Sequence, residues 1–365
     1  MTDLLYSETE SDLRAAVRAL LADRAAPAAL PGRLEGRGPH DAELWRALAG
    51  DIGAAGLLVP EKLGGQGASH REAAVVLEEL GRAVTPLPYL TSSVVATRTL
   101  LALGPSGEAA GLLADLASGR RTAVLAVPLT ATDATSADPA DPAGPAGAIP
   151  AVADAVLADV LLVPRPDGLH AVEAADADIR PQTPLDLTRP LAAVTVAATA
   201  PGTRLADAGT SRAAIRSGLL SGAGLLASEQ LGLAEWCLEE AVRHTRTRHQ
   251  FNRPVGSFQA LKHRMAELWL EVAGARAAAR NAADALATDS PDAPLAVAVA
   301  QAYCSRVAVH AAEECVQLHG GIGMTWEHPA HLYLKRAKSD QLAFGAPGHH
   351  KDTVAALADL PAPTP

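Results

Sequence analysis

Aromatic side chains are scarce here: Phe, Tyr and Trp supply 3% of 365 residues, although apolar residues reach 48%. Ala, Leu and Val must therefore carry the core, and the alanine bias favours helix. Cysteine is also rare. Cys237, Cys304 and Cys315 are odd in number and form no CxxC pair, which argues against a disulfide framework or a zinc site and fits a reducing compartment. Basic residues are outnumbered, 31 Lys and Arg against 41 Asp and Glu, for a net charge of −10. A general nucleic-acid binder needs a basic face to displace counterions, so no nucleic-acid partner is expected. The N-terminal segment MTDLLYSETESDLR is acidic and lacks an apolar core, so no signal peptide is expected. No stretch reads as apolar for long enough to span a bilayer, so the expected location is cytoplasmic, with no membrane partner.

What is present is helical periodicity on either side of a β-rich middle. Ser7 to Ala25 repeats Leu13, Val17 and Leu20 at helical spacing, with Glu8 and Glu10 at the positive end. A second helix is expected from about Asp41, with Leu44, Leu48 and Ile52 on one side. Pro60 and the run from Leu63 to Gly67 mark a loop. Arg71–Arg82 and Tyr89–Leu103 read as helices. Residues 1–120 thus form a helical domain. Thr122–Val127, Val160–Val163 and Ala192–Ala198 read as strands, and residues 121–205 form a small β domain. Thr132 to Pro150 is rich in Pro, Ala, Gly and Asp without periodicity and reads as a loop insert. From residue 206 to 365, four amphipathic stripes, the first on Leu219, Leu226, Leu233 and Cys237, predict a four-helix bundle.

Two segments concentrate chemistry. The first, RHQFNRPVGSFQ from Arg248 to Gln259, sits between two bundle helices, with Arg246, Arg248 and Arg253 gathering positive charge. Such charges can complement a helix C-terminus, but the arginine fork also suits a pyrophosphate. The second, QLHGGIGMTWEHP from Gln317 to Pro329, follows the third bundle helix. Its glycines suit either a helix cap or a close backbone approach to a ligand. In this order and spacing the pair resembles the C-terminal signature of acyl-CoA dehydrogenases. Leu44-Trp45-Arg46, the run from Gly56 to Gly67 (GLLVPEKLGGQG) and Leu77 to Gly81 (LEELG) resemble the same family's N-terminal segments.

The resemblance implies a helical domain, a β-barrel domain and a four-helix bundle, with FAD as cofactor and an acyl-CoA thioester as substrate. It implies FAD-dependent α,β-desaturation, an oxidoreductase acting on CH–CH groups. By likeness, Arg248 would hold the FAD pyrophosphate, and Gln250, Phe251 and Gln259 would line the cofactor. Gln317, Gly320 and Gly321 would approach the adenosine half from a partner subunit. The assembly is expected to be a homo-oligomer or a mixed oligomer with a related subunit.

The same resemblance exposes a gap. The family's usual base is a glutamate before a Gly–Thr pair, where this chain reads LAFGAPGHH from Leu342 to His350. A second position used by some members falls at Ser221 to Gly224, also without an acid. Weak substitutes are Glu229, near in helical phase to Gly222, and His349, which could titrate near neutral pH. Asp340 is expected on a helix flank. No metal is expected at His349–His350, because no third ligand is evident. The family's Thr-Glu-Pro segment survives only in outline at Ala126 to Asp133, and its Trp-Ile-Thr-type segment is missing. The alternative reading is therefore a non-catalytic partner subunit of a heteromeric enzyme, or a repurposed member of the fold.

Overall fold

The computed structural model describes residues 4–36, 40–104, 106–133 and 147–361. The first helix, α1 (Glu8–Arg24), starts in a capping box: Ser7 Oγ accepts from the Glu10 N–H while Glu10 Oε2 accepts from the Ser7 N–H. Val17 and Leu21 are its buried positions. After α2 (Leu30–Gly36), α3 (Ala42–Arg46) is capped by Asp41 and widens into π-type turns through Asp51. The next helix, α4 (His70–Arg82), repeats the capping box with Ser69 and Glu72. Wide π-type turns over Tyr89–Ala96 lead into α5 (Thr97–Ala102), and α6 (Glu108–Ala117) closes the helical part. In the loop between α3 and α4, Gly65 leaves no room for a side chain. A Cβ there would lie 2.0 Å from the Val59 carbonyl oxygen.

Seven strands follow: β1 (Ala123–Leu125), β2 (Ile149–Ala153), β3 (Val160–Arg165), β4 (Gly168–Glu173), β5 (Asp178–Gln182), β6 (Leu191–Thr195) and β7 (Thr203–Asp207). They make two sheets, ordered β1-β3-β4-β7 and β2-β6-β5, and among the described residues only the β1–β3 pairing is parallel. Val124, Val152, Leu161, Val172 and Val194 form a small core of their own. Four of these strands are not evident from sequence. β5 is almost wholly exposed and shows no alternation, and β2 begins inside the Pro/Ala-rich insert. The middle of that insert, residues 134–146, lies outside the described residues.

The C-terminal part is built on α7 (Ala208–Thr247), 40 residues long and capped by Asp207. It packs against α8 (Gln259–Ala287), α9 (Ala293–His319) and α10 (Ala330–Leu342), and α11 (Pro347–Leu357) lies on α9. α7 also crosses α4 and α5, so its middle is buried on nearly every side and shows little amphipathicity. The crossing with α4 is backbone against backbone. A Cβ on Gly232 would sit 1.9 Å from the Glu78 oxygen, and one on Gly81 would sit 2.1 Å from the Glu229 oxygen. The sequence reading of no membrane-length apolar stretch needs correction. The segment Ala293–Met324 is long and apolar enough by length and composition, because it is the bundle's inner helix; 67% of its most apolar window is buried in the protein.

Candidate functional site

The segment that should carry a base is filled by an aromatic ring. Phe344 is the residue before Gly345, and it is 5% exposed. Its N–H donates to the Leu129 carbonyl at 2.9 Å, and its backbone is left-handed (φ 53°). Its ring faces Gly222 on α7: a Cβ there would meet Phe344 Cζ at 3.1 Å and Val95 Cγ2 at 2.6 Å. The stretch before Gly345 and the Ser221–Gly224 stretch, to which the family resemblance assigns a base, therefore meet here, one through a ring and the other through a bare glycine. Together they form an apolar contact that holds no proton acceptor.

Glu229 does not substitute for the missing acid. It is 2% exposed and shared between two buried arginines, with Arg189 Nη2 at 2.6 Å and Arg336 Nη1 on the same Oε1. Arg336 also binds Asp186 and donates to the Thr188 carbonyl at 2.8 Å. Burial works to raise the Glu229 pKa, but the two guanidiniums outweigh it and hold the group below its ordinary value. A carboxylate so clamped is a poor proton acceptor, so its reading as a candidate base is corrected to that of a structural ion-pair member. Asp340 lies on α10, as expected of a helix flank, but is fully buried, 3.3 Å from Arg189. Burial, and then the Glu229 charge, drive its pKa well above the usual range. Nothing in the sequence pattern joins Asp186 and Arg189, in the β region, to Glu229, Arg336 and Asp340 in the bundle.

His349 is exposed at a cleft of about 430 Å³ bordered by Thr132, Arg216, Leu219, Phe344 and His350. His350 is buried; burial, with the neighbouring His349, lowers its pKa. The cleft is thus mostly apolar, with two imidazoles and one guanidinium at its edge.

The residues assigned to the cofactor occupy the far end of α7. Arg248 caps that helix, is exposed, and its guanidinium has no hydrogen-bond or ion-pair partner among the described residues. Two-residue strands β8 (His249–Gln250) and β9 (Arg253–Pro254) form a hairpin. Its turn residues, Phe251 and Asn252, are both left-handed (φ 54° and 61°), and Phe251 is 87% exposed. Phe258 is packed edge-on by Phe251, at 6.1 Å between centroids, and Arg253 Cζ lies 3.8 Å above its ring. Gln259 opens α8, exposed like Gln250 and within 3.4 Å of His263.

The second assigned segment lies beside the first. α9 ends at His319, whose ring sits 4.1 Å from that of His244, one helical turn before Arg248. Gln317, Gly320 and Gly321 are exposed, and both glycines have open space where a Cβ would stand. Arg248 and the diglycine bend thus follow His244 and His319, whose rings lie 4.1 Å apart within one chain. An unpaired guanidinium next to approachable backbone is a donor set that fits a dinucleotide pyrophosphate.

Below this surface lies a group that sequence reasoning missed: Glu240, His319 and His328 bring ligand-type atoms within 4.8 Å of one another. The ring hydrogens are already committed. His319 Nδ1 donates to the Cys315 carbonyl at 2.7 Å, and His328 Nδ1 accepts from the Ala330 N–H, leaving Nε2–H to donate to Glu240 at 3.2 Å. The group therefore forms a hydrogen-bonded cluster. The three cysteines are buried and free, and Cys315 lies beside His319.

The helical-sheet-helical order and the C-terminal bundle define a protein of the acyl-CoA dehydrogenase fold. Residues 7–120 match the acyl-CoA dehydrogenase N-terminal domain and residues 212–358 the C-terminal domain, so the chain belongs to the acyl-CoA dehydrogenase family, oxidoreductases acting on CH–CH groups of acyl-CoA. It is 36% identical to acyl-CoA dehydrogenase IpdE2 of Mycolicibacterium smegmatis over 93% of this chain and 96% of that protein. It is 34% identical to acyl-CoA dehydrogenase FadE34 of Mycobacterium tuberculosis over 94% of this chain but 47% of that protein. Among solved structures, a chain of the ChsE4–ChsE5 complex from Mycobacterium tuberculosis superposes with a TM-score of 0.84 and 26% identity, over 99% of this chain and 100% of that one.

Proposed function

We propose that this chain is the base-less subunit of a mixed flavin-dependent acyl-CoA dehydrogenase. Its role is to grip the FAD whose ring works in a related catalytic subunit. The observation that carries this reading is Phe344, buried against Gly222 where the base is expected, while the Arg248–Gly320 surface stays open. Bound FAD would supply the acceptor for the hydride leaving the β-carbon of the thioester. This chain's residues would do the holding. Arg248 neutralises phosphate charge, the backbone at Gly320 and Gly321 permits close approach, and Phe251 presents a ring face beside them. Among the described residues the Phe344–Gly222 contact presents no carboxylate, so on this reading removal of the α-proton falls to the partner. Two relatives support the idea. One similar structure is that of a two-protein complex, and the FadE34 relative is about twice the length of this chain.

A second reading keeps His349, exposed at the cleft beside Phe344, as the base of a homomeric enzyme. Anaerobic acyl-CoA titration separates the two. The flavin absorbance should bleach when the chain is co-purified with a related subunit, and stay unchanged when the chain is expressed alone. Equal bleaching by the chain alone, abolished in His349→Ala, would establish the second reading and sink the first.

A further inference from the structure

The cluster under the diglycine bend has no part in the reading above, and its geometry gives it one. Glu240, His244 and Arg248 succeed one another at four-residue intervals, so they share one face of α7. Glu240 reaches across to α9, where its Oε1 lies 3.4 Å from His319 Nε2, and to the following loop, where it lies 3.2 Å from His328 Nε2. Arg243 closes the carboxylate from the solvent side, Nε to Oε2 at 2.8 Å. The His319 ring is held between those of His244 and His328, at 4.1 and 4.2 Å. Its side chain is fully buried, and its backbone leads directly into Gly320. The bend tolerates little slack there, since a Cβ on Gly323 would lie 2.7 Å from the Val316 oxygen and 3.0 Å from His319 Cβ.

We propose that Glu240 and His319 form an ionic staple that fixes the diglycine bend against the Arg248 end of α7, so that one chain presents a single preassembled phosphate cradle. This rests on the cofactor reading given above, and His319 acts as a positioning residue. It does so as an imidazolium. With Nδ1–H committed to the Cys315 carbonyl, a neutral ring would set its bare Nε2 against a carboxylate oxygen, an unfavourable acceptor–acceptor contact. The charged ring instead donates Nδ1–H to the Cys315 carbonyl, sets a positive Nε2 3.4 Å from the Glu240 carboxylate as an ion pair without a formed hydrogen bond, and complements the negative C-terminus of α9. Burial works against that charge, but contact with Cys315 and Glu240 overrides it and lifts the His319 pKa to about 10. The other charged or titratable groups facing it are Arg243, His244, Cys237 and, one turn on, Arg248 from α7, Cys315 from α9, and His328 from the loop. Burial, with the His319 charge next, lowers His244 and His328, so the extra proton stays on His319.

The test uses the full-length chain in the assembly that retains flavin, with His319→Asn, Glu240→Gln and Arg248→Ala variants. Flavin retained through gel filtration is measured from pH 6 to 9, with histidine ring nitrogen NMR and melting temperature. Wild type should show a doubly protonated His319 at pH 8 and flat flavin retention. Glu240→Gln removes the countercharge, so His319 should titrate below pH 8 and retention should fall several-fold as pH rises. His319→Asn should lose flavin at every pH. A neutral His319 in wild type at pH 8 overturns the staple, as does a Glu240→Gln profile parallel to wild type. So does a melting temperature raised by micromolar Zn²⁺ in wild type but not in His319→Asn, which would make the cluster a metal site. Arg248→Ala is the separate check: full flavin retention there defeats the cofactor reading, and the NMR result still decides the staple.

Discussion

Two stretches of α7, one around Gly222 and one at its C-terminal end, differ in how they treat space. At Gly222 the chain closes: Phe344 and Val95 press on the bare glycine, and the polar groups nearby are locked in the Glu229–Arg189–Arg336 network. At Arg248 the chain opens, with an unpaired guanidinium, a left-handed aromatic tip and two glycines facing free space. One stretch is core and the other leaves its donors exposed. The difference teaches that an apolar, closed contact and an exposed donor surface can sit on different stretches of one helix, which is what the proposed separation of binding from chemistry requires.

That comparison can be tested by substitution. Phe344→Ala should be the costliest, destabilising by about 3–5 kcal/mol through the cavity it leaves. Urea unfolding measures it, and a loss below about 1 kcal/mol would mean the closed end is loosely packed. Gly232→Ala should come next. Its Cβ has no room beside the Glu78 carbonyl, and overpacking of this kind costs about 1–3 kcal/mol. A thermal melt reports it, and the effect should leave flavin content in the folded fraction unchanged. Arg248→Ala should be the smallest in stability, within about 0.5 kcal/mol, because an exposed unpaired side chain contributes little to folding. Flavin retention should nonetheless fall sharply. A large stability loss at Arg248 would show the open end to be structural, and would erase the contrast.

Much of this was legible in the sequence because it depends on local pattern. Ser7–Glu10 and Ser69–Glu72 announce helix starts through side chains that bond their own backbone. The arginine hairpin and the diglycine run are contiguous motifs. What escaped depends on contacts between distant segments. Glu229 looked like one more acid on a helix until Arg189, 40 positions upstream, and Arg336 closed on it. Phe344 was visible as a missing acid, but its fit against Gly222 is a matter of the turn after α10 meeting α7. His319 stood in the quoted motif without a role, since only the fold places Glu240 beneath it. Strand β5 was hidden for the opposite reason: it buries too little to leave an alternating trace.

The length of α7 has one more consequence. Gly222 and Arg248 are 26 residues apart on one unbroken helix, which at 1.5 Å per residue is about 39 Å. An extended dinucleotide is shorter than that rod. A flavin anchored by its phosphates at the tip could not reach back to the Phe344 pocket of the same polypeptide. On the proposed reading its ring would lie well away from that pocket, and this helix would act as a ruler that sets how far the gripping surface stands from the closed one.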